Sequence, residues 1–81
     1  MGITINKEKN EVCITLNKEF YNNQAIKDSL LDFKEVCDGE VEEDKENQII
    51  ILKPKENEML YVVGYEFCNY ILGSMKNKSL V

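Results

Sequence analysis

The chain has no histidine, no tryptophan and no arginine, and its 81 residues include only one proline and four glycines. Each absence excludes a chemistry. Without imidazole, no side chain titrates near neutrality at its ordinary pKa. Ser-His and Cys-His nucleophilic pairs cannot be built, and histidine-bearing zinc sites are out. The four glycines form neither G-x-x-x-x-G-K-[ST] nor G-x-G-x-x-G, so no loop cradles a phosphate. Bidentate reading of guanine prefers arginine, which the chain lacks. The net charge is −5 and the ten lysines are scattered, which argues against nucleic acid, whose backbone demands clustered cations, and against an anionic membrane surface. The reading is therefore not an enzyme: no catalytic residues, no cofactor and no metal.

Cysteine is also scarce. Cys13, Cys37 and Cys68 are odd in number and widely spaced, which fits neither a disulfide framework nor a zinc pattern. They read as buried small hydrophobes in a reducing compartment, with a thiol-based redox role as the alternative. Met1-Gly2-Ile3-Thr4 is not a signal peptide. Asn6 stands where a myristoylation signal has Ser or Thr. The mostly apolar stretch Met59 to Met75 is interrupted by Glu66, Asn69 and two glycines, so it does not read as a membrane span. The expectation is a cytoplasmic protein.

What is present is enough for one small core, since 43% of the residues are apolar. Ile3-Thr4-Ile5 alternates, as does Glu11 to Leu16, and the polar Lys7 to Asn10 between them suggests a hairpin. Asn22 or Asn23 caps a helix, because a short polar side chain accepts from the orphan amides of the first turn. Ile26, Ser29, Leu30, Phe33 and Cys37 follow at helical spacing, and Gly39 supplies a C-terminal stop. This predicts a helix over Asn23 to Asp38. Glu40-Val41-Glu42-Glu43 reads as a charged strand, Asp44 to Asn47 as a turn, and Gln48 to Lys53 as a strand apolar on both faces, ended by Pro54. A second helix is expected over Glu58 to Lys76 on a stripe of Leu60, Gly64, Phe67, Ile71 and Met75, widened by Val63, Cys68 and Leu72. Residues 1–76 thus form a single α+β domain of order β-β-α-β-β-α, and residues 77–81 a frayed tail. The strand apolar on both faces belongs at the centre of a sheet and the glutamate-loaded one at an edge. This gives a four-stranded antiparallel sheet of order first-second-fourth-third, with both helices on one face.

Three surfaces are candidates for binding. Tyr61, Val62, Tyr65 and Tyr70 lie off the core stripe of the second helix, and tyrosine suits an interface because its ring is apolar and its hydroxyl polar. The first strand, Ile3-Thr4-Ile5, is an edge onto which an extended peptide can add, with Lys7 and Lys9 at its end favouring an acidic one. Of Ile49-Ile50-Ile51-Leu52, one pair must point away from the helices, and homodimerisation through that open face would cover it. The acidic run Asp38, Glu40, Glu42, Glu43, Asp44, Glu46 lacks calcium-loop spacing and reads as a solvated edge.

The chain resembles the HxsD-like small proteins. The residues carrying the likeness are Thr15-Leu16-Asn17-Lys18-Glu19-Phe20-Tyr21 with Ala25-Ile26, Phe33, Glu40-Val41-Glu42, Leu52-Lys53-Pro54-Lys55 and Tyr65-Glu66-Phe67-Cys68-Asn69-Tyr70-Ile71-Leu72. Those proteins accompany His-Xaa-Ser peptide-modification systems with radical SAM maturases. The resemblance implies an accessory protein beside such a maturase, presenting its precursor peptide, and implies no catalytic residues. The expectation is a binding module for a protein or peptide; a self-associating structural protein is the second reading.

Overall fold

The computed structural model describes residues 2–56 and 60–79, with side chains as far as Lys76. Strands β1 (Gly2–Asn6) and β2 (Glu11–Asn17) form the expected hairpin. Its turn needs a left-handed residue, and Asn10 takes that conformation at φ 54°, which asparagine tolerates better than most side chains. The Asn10 side chain also donates to the Pro54 carbonyl at 3.3 Å, tying the turn to the end of β4 (Asn47–Pro54). Helix α1 (Asn23–Asp32) is capped by Asn22, whose side-chain oxygen accepts from the amides of Gln24 and Ala25 at 2.7 and 3.2 Å. Strand β3 (Cys37–Glu43) pairs with β4, and the turn between them is closed by the Asp44 carboxylate, which accepts from the amides of Glu46 and Asn47. Helix α2 runs Leu60–Ser79.

The sheet is antiparallel with order β1-β2-β4-β3. Strand β4, apolar on both faces over Ile49-Ile50-Ile51-Leu52, is central and the glutamate-rich β3 is an edge, as the patterning predicts. Helix α1 is shorter than expected. It stops at Asp32, and Phe33 is its C-cap, with right-handed backbone. Cys37 continues the helical spacing of Ile26, Leu30 and Phe33 but lies instead at the start of β3, opposite Pro54. Gly39 is no helix stop. It sits within β3, and its backbone has no positive φ. At the other end, α2 extends through residues 77–79, which the sequence places in a frayed tail. Glu58, expected to open that helix, and Leu80 and Val81 lie outside the described residues.

Alternation decides the core. Val12, Ile14 and Leu16 of β2 and Ile50 and Leu52 of β4 face the helices and are wholly buried, together with Ala25 and Ile26 of α1 and Phe67 and Ile71 of α2. Two glycines set the helix–sheet spacing. A Cβ on Gly39 would lie 2.5 Å from the Leu30 side chain of α1, and one on Gly64 would lie 2.8 Å from Val12 of β2 and 3.4 Å from Ile3 of β1. Thus α1 lies over β3 and β4, and α2 over β1 and β2.

The Gly64 approach carries a measurable consequence. Alanine in a helix interior is favoured over glycine by about 1 kcal/mol, and at Gly73, where a Cβ meets nothing within 4 Å, that gain is realised. At Gly64 the new methyl meets Val12, a buried side chain stiff at χ1, and overpacking costs about 1–3 kcal/mol. In urea unfolding, Gly73→Ala is expected to stabilise the chain by about 1 kcal/mol and Gly64→Ala to destabilise it by a similar amount.

Candidate binding groove beside the first strand

The edge strand β1 and the outer flank of α2 form the walls of an open apolar groove of about 620 Å³, lined by Ile3, Ile5, Tyr61, Val62, Tyr65, Glu66 and Asn69. The volume falls within the roughly 300–1,000 Å³ of ligand clefts. Ile3 and Ile5 point into it because they pair with Ile14 and Val12 and so share the helix-covered face of the sheet. That face extends past the edge of α2, leaving Ile3 36% exposed. On the helix, Tyr61, Val62, Tyr65, Glu66 and Asn69 recur at three- and four-residue spacing and so line one flank. The core stripe through Leu60, Gly64, Phe67, Cys68 and Ile71 is the adjacent flank, and it is buried. Tyr61 and Tyr65 are more than half exposed, with their rings beside the groove.

Five of the seven residues singled out in the sequence therefore come together: Ile3, Ile5, Tyr61, Val62 and Tyr65. Thr4 does not, because it pairs with Cys13 and points to the opposite face. Tyr70 does not either. It lies on the seam between the helices, where its hydroxyl donates to the Asp32 carboxylate and its ring meets Phe33 edge-on at 5.4 Å. The carboxylate acceptor holds the Tyr70 hydroxyl above its ordinary pKa. Glu66 and Asn69 are groove residues missed in the sequence, although each lies four residues beyond a groove residue, Val62 and Tyr65.

The groove's polar groups are few. Among the described residues Glu66 is the one carboxylate in its lining, and Lys7 and Lys9 stand in the β1–β2 turn at the end of the edge strand. The thiols lie elsewhere. Cys37 and Cys68 are buried, and burial pushes the Cys68 thiol up from its ordinary pKa. That is the reverse of what a reactive cysteine needs. Cys13 is half-buried on the open sheet face, not in the core as expected of all three cysteines.

Among the described residues no helix is long and apolar enough to cross a membrane. No protein-family model, no curated protein and no solved structure matches the chain.

Proposed function

We propose that this chain is a non-catalytic accessory protein that captures an extended peptide along β1, with alternate peptide side chains seated in the β1–α2 groove. The observation that carries this reading is the coincidence of an unpaired strand edge with an apolar groove on the same side of it. An edge strand offers backbone amides and carbonyls every second residue. A peptide strand that pairs with them places residues i and i+2 on one face, here over Ile3, Ile5, Tyr61 and Tyr65. Main-chain bonds then supply affinity and the groove supplies side-chain selection. Lys7 and Lys9 favour acidic residues at one end of the peptide. The resemblance to the HxsD-like proteins supports a precursor peptide as the occupant and a radical SAM maturase as the enzyme served.

The reading is tested with fluorescent peptides of alternating isoleucine and glutamate, alternating isoleucine and lysine, and the first sequence with proline at alternate positions. Anisotropy titration is expected to show saturable binding of the glutamate peptide, about tenfold weaker binding of the lysine peptide, and none of the proline-substituted one, which lacks the amides to pair. Equal binding of all three would remove strand addition as the mechanism.

A further inference from the structure

The sheet face opposite the helices is uncovered among the described residues and is graded in chemistry from edge to edge. Thr4, Cys13, Ile51 and Glu40 stand side by side across the four strands, and Gly2, Thr15, Ile49 and Glu42 form the next row. Small and polar residues thus occupy β1, an apolar patch of Cys13, Ile49 and Ile51 lies mainly on β4, with Thr15 of β2 polar beside it, and carboxylates occupy β3. Ile49 and Ile51 are half-buried, and no helix lies over them. At one end Asp38 pairs across to Lys53, whose ammonium is already 3.5 Å from the Glu11 carboxylate. Neither row sets a cation beside Glu40 or Glu42; Lys27 of α1 and Lys34 share only the cleft at the outer edge of β3 with Glu40.

We propose that this face docks a cationic amphipathic helix of a partner protein, with its apolar stripe on Cys13, Ile49 and Ile51 and a lysine or arginine flank over Glu40 and Glu42. The width of the apolar patch selects a helix. Cys13 and Ile51 on neighbouring strands about 4.8 Å apart, with Ile49 two residues along β4, make a narrow patch that one helix, about 10 Å across, covers, whereas a second sheet would lay its own polar edge strands over the margins. The small residues Gly2 and Thr4 leave room on the side away from the charge. Charge selects the sign. A second copy stacked with β3 over β3 would bring Glu40 and Glu42 against their own counterparts, and one stacked with β3 over β1 would meet Gly2 and Thr4, which offer no cation. The docked helix makes the sheet the middle layer of a three-layer α/β/α arrangement, one of the stable ways to bury both faces of a sheet. It leaves the β1–α2 groove free.

The test uses the whole chain and two synthetic amphipathic peptides of about 18 residues, long enough to be helical. They share one leucine pattern, with a lysine polar face in one and a glutamate polar face in the other. With ¹⁵N-labelled protein, the lysine peptide is expected to shift the amides of Cys13, Thr15, Ile49, Ile51, Glu40 and Glu42 and to slow alkylation of Cys13. The double variant E40K/E42K changes only exposed side chains; its far-ultraviolet spectrum should match the parent, and its affinity for the lysine peptide should fall roughly tenfold. Shifts confined to the β1–α2 groove, or equal affinity for parent and E40K/E42K, overturn the proposal. So does sedimentation of the chain alone as a dimer with Cys13 protected, which would make a second copy the occupant.

Discussion

Phe67→Ala is expected to remove about 3–5 kcal/mol of folding free energy, which for a domain of this length is a large share of an expected total of roughly 4–12 kcal/mol. Phe67 is wholly buried and is the largest side chain in the core. It meets Phe33 edge-on with ring centroids 5.1 Å apart, so its loss also breaks the aromatic contact that joins α2 to the end of α1. Ile14, Ile26 and Ile71 belong to the same fully buried cluster, and a close-packed core relaxes only partly into the space a lost ring leaves. Urea unfolding followed by circular dichroism checks this, with Tyr65→Ala as the control. Tyr65 is 62% exposed, and its truncation is expected to change stability by no more than about 0.5 kcal/mol. Similar midpoints for the two variants would mean that α2 does not pack through the face described.

Replacing Tyr61 and Tyr65 together with alanine is expected to weaken capture of the isoleucine–glutamate peptide about 100-fold, the effect of two truncated aromatic anchors at roughly 1.4 kcal/mol each. Both rings stand beside the groove and neither contributes to the core, so the doubly substituted chain should fold as the parent does. Tyr70→Ala separates interface from architecture. Its hydroxyl and ring are engaged with Asp32 and Phe33 of the α1 end. Its loss should therefore lower the melting temperature while leaving peptide affinity unchanged. An affinity loss at Tyr70 matching that at Tyr61 and Tyr65 would relocate the binding surface to the seam between the helices.

The strand order was legible in the sequence because two strands are extreme. Ile49-Ile50-Ile51-Leu52 is apolar on both faces and so belongs inside a sheet. Glu40, Glu42 and Glu43 make a strand that tolerates only an edge. The end of α1 was not legible, because Phe33 and Cys37 keep helical spacing after the helix has stopped. What decides the matter is non-local: Cys37 pairs with Pro54 across the sheet, and Lys55 donates its amide to the Val36 carbonyl at 2.9 Å, continuing the same edge. Gly39 was misread for a related reason. A glycine after a periodic stretch suggests a cap, but here its missing side chain makes room for Leu30. In the groove, the tyrosines could be found as residues off the core stripe. Their meeting with Ile3 and Ile5 depends on how closely α2 approaches the sheet, which Gly64 sets and no local pattern encodes. Tyr70 shares their residue type and helix but projects over α1, nine residues along α2 from Tyr61, and only the tertiary fold separates the two sides.

Hydrogen exchange along β1, with and without the isoleucine–glutamate peptide, tests strand capture most directly. Edge amides that face solvent exchange quickly until another strand pairs with them. Slowed exchange at alternate residues of Gly2–Asn6, with α2 amides near Tyr61 and Tyr65 perturbed and β3 unchanged, is the predicted result. Protection appearing on β3 while β1 exchanges as before would contradict it.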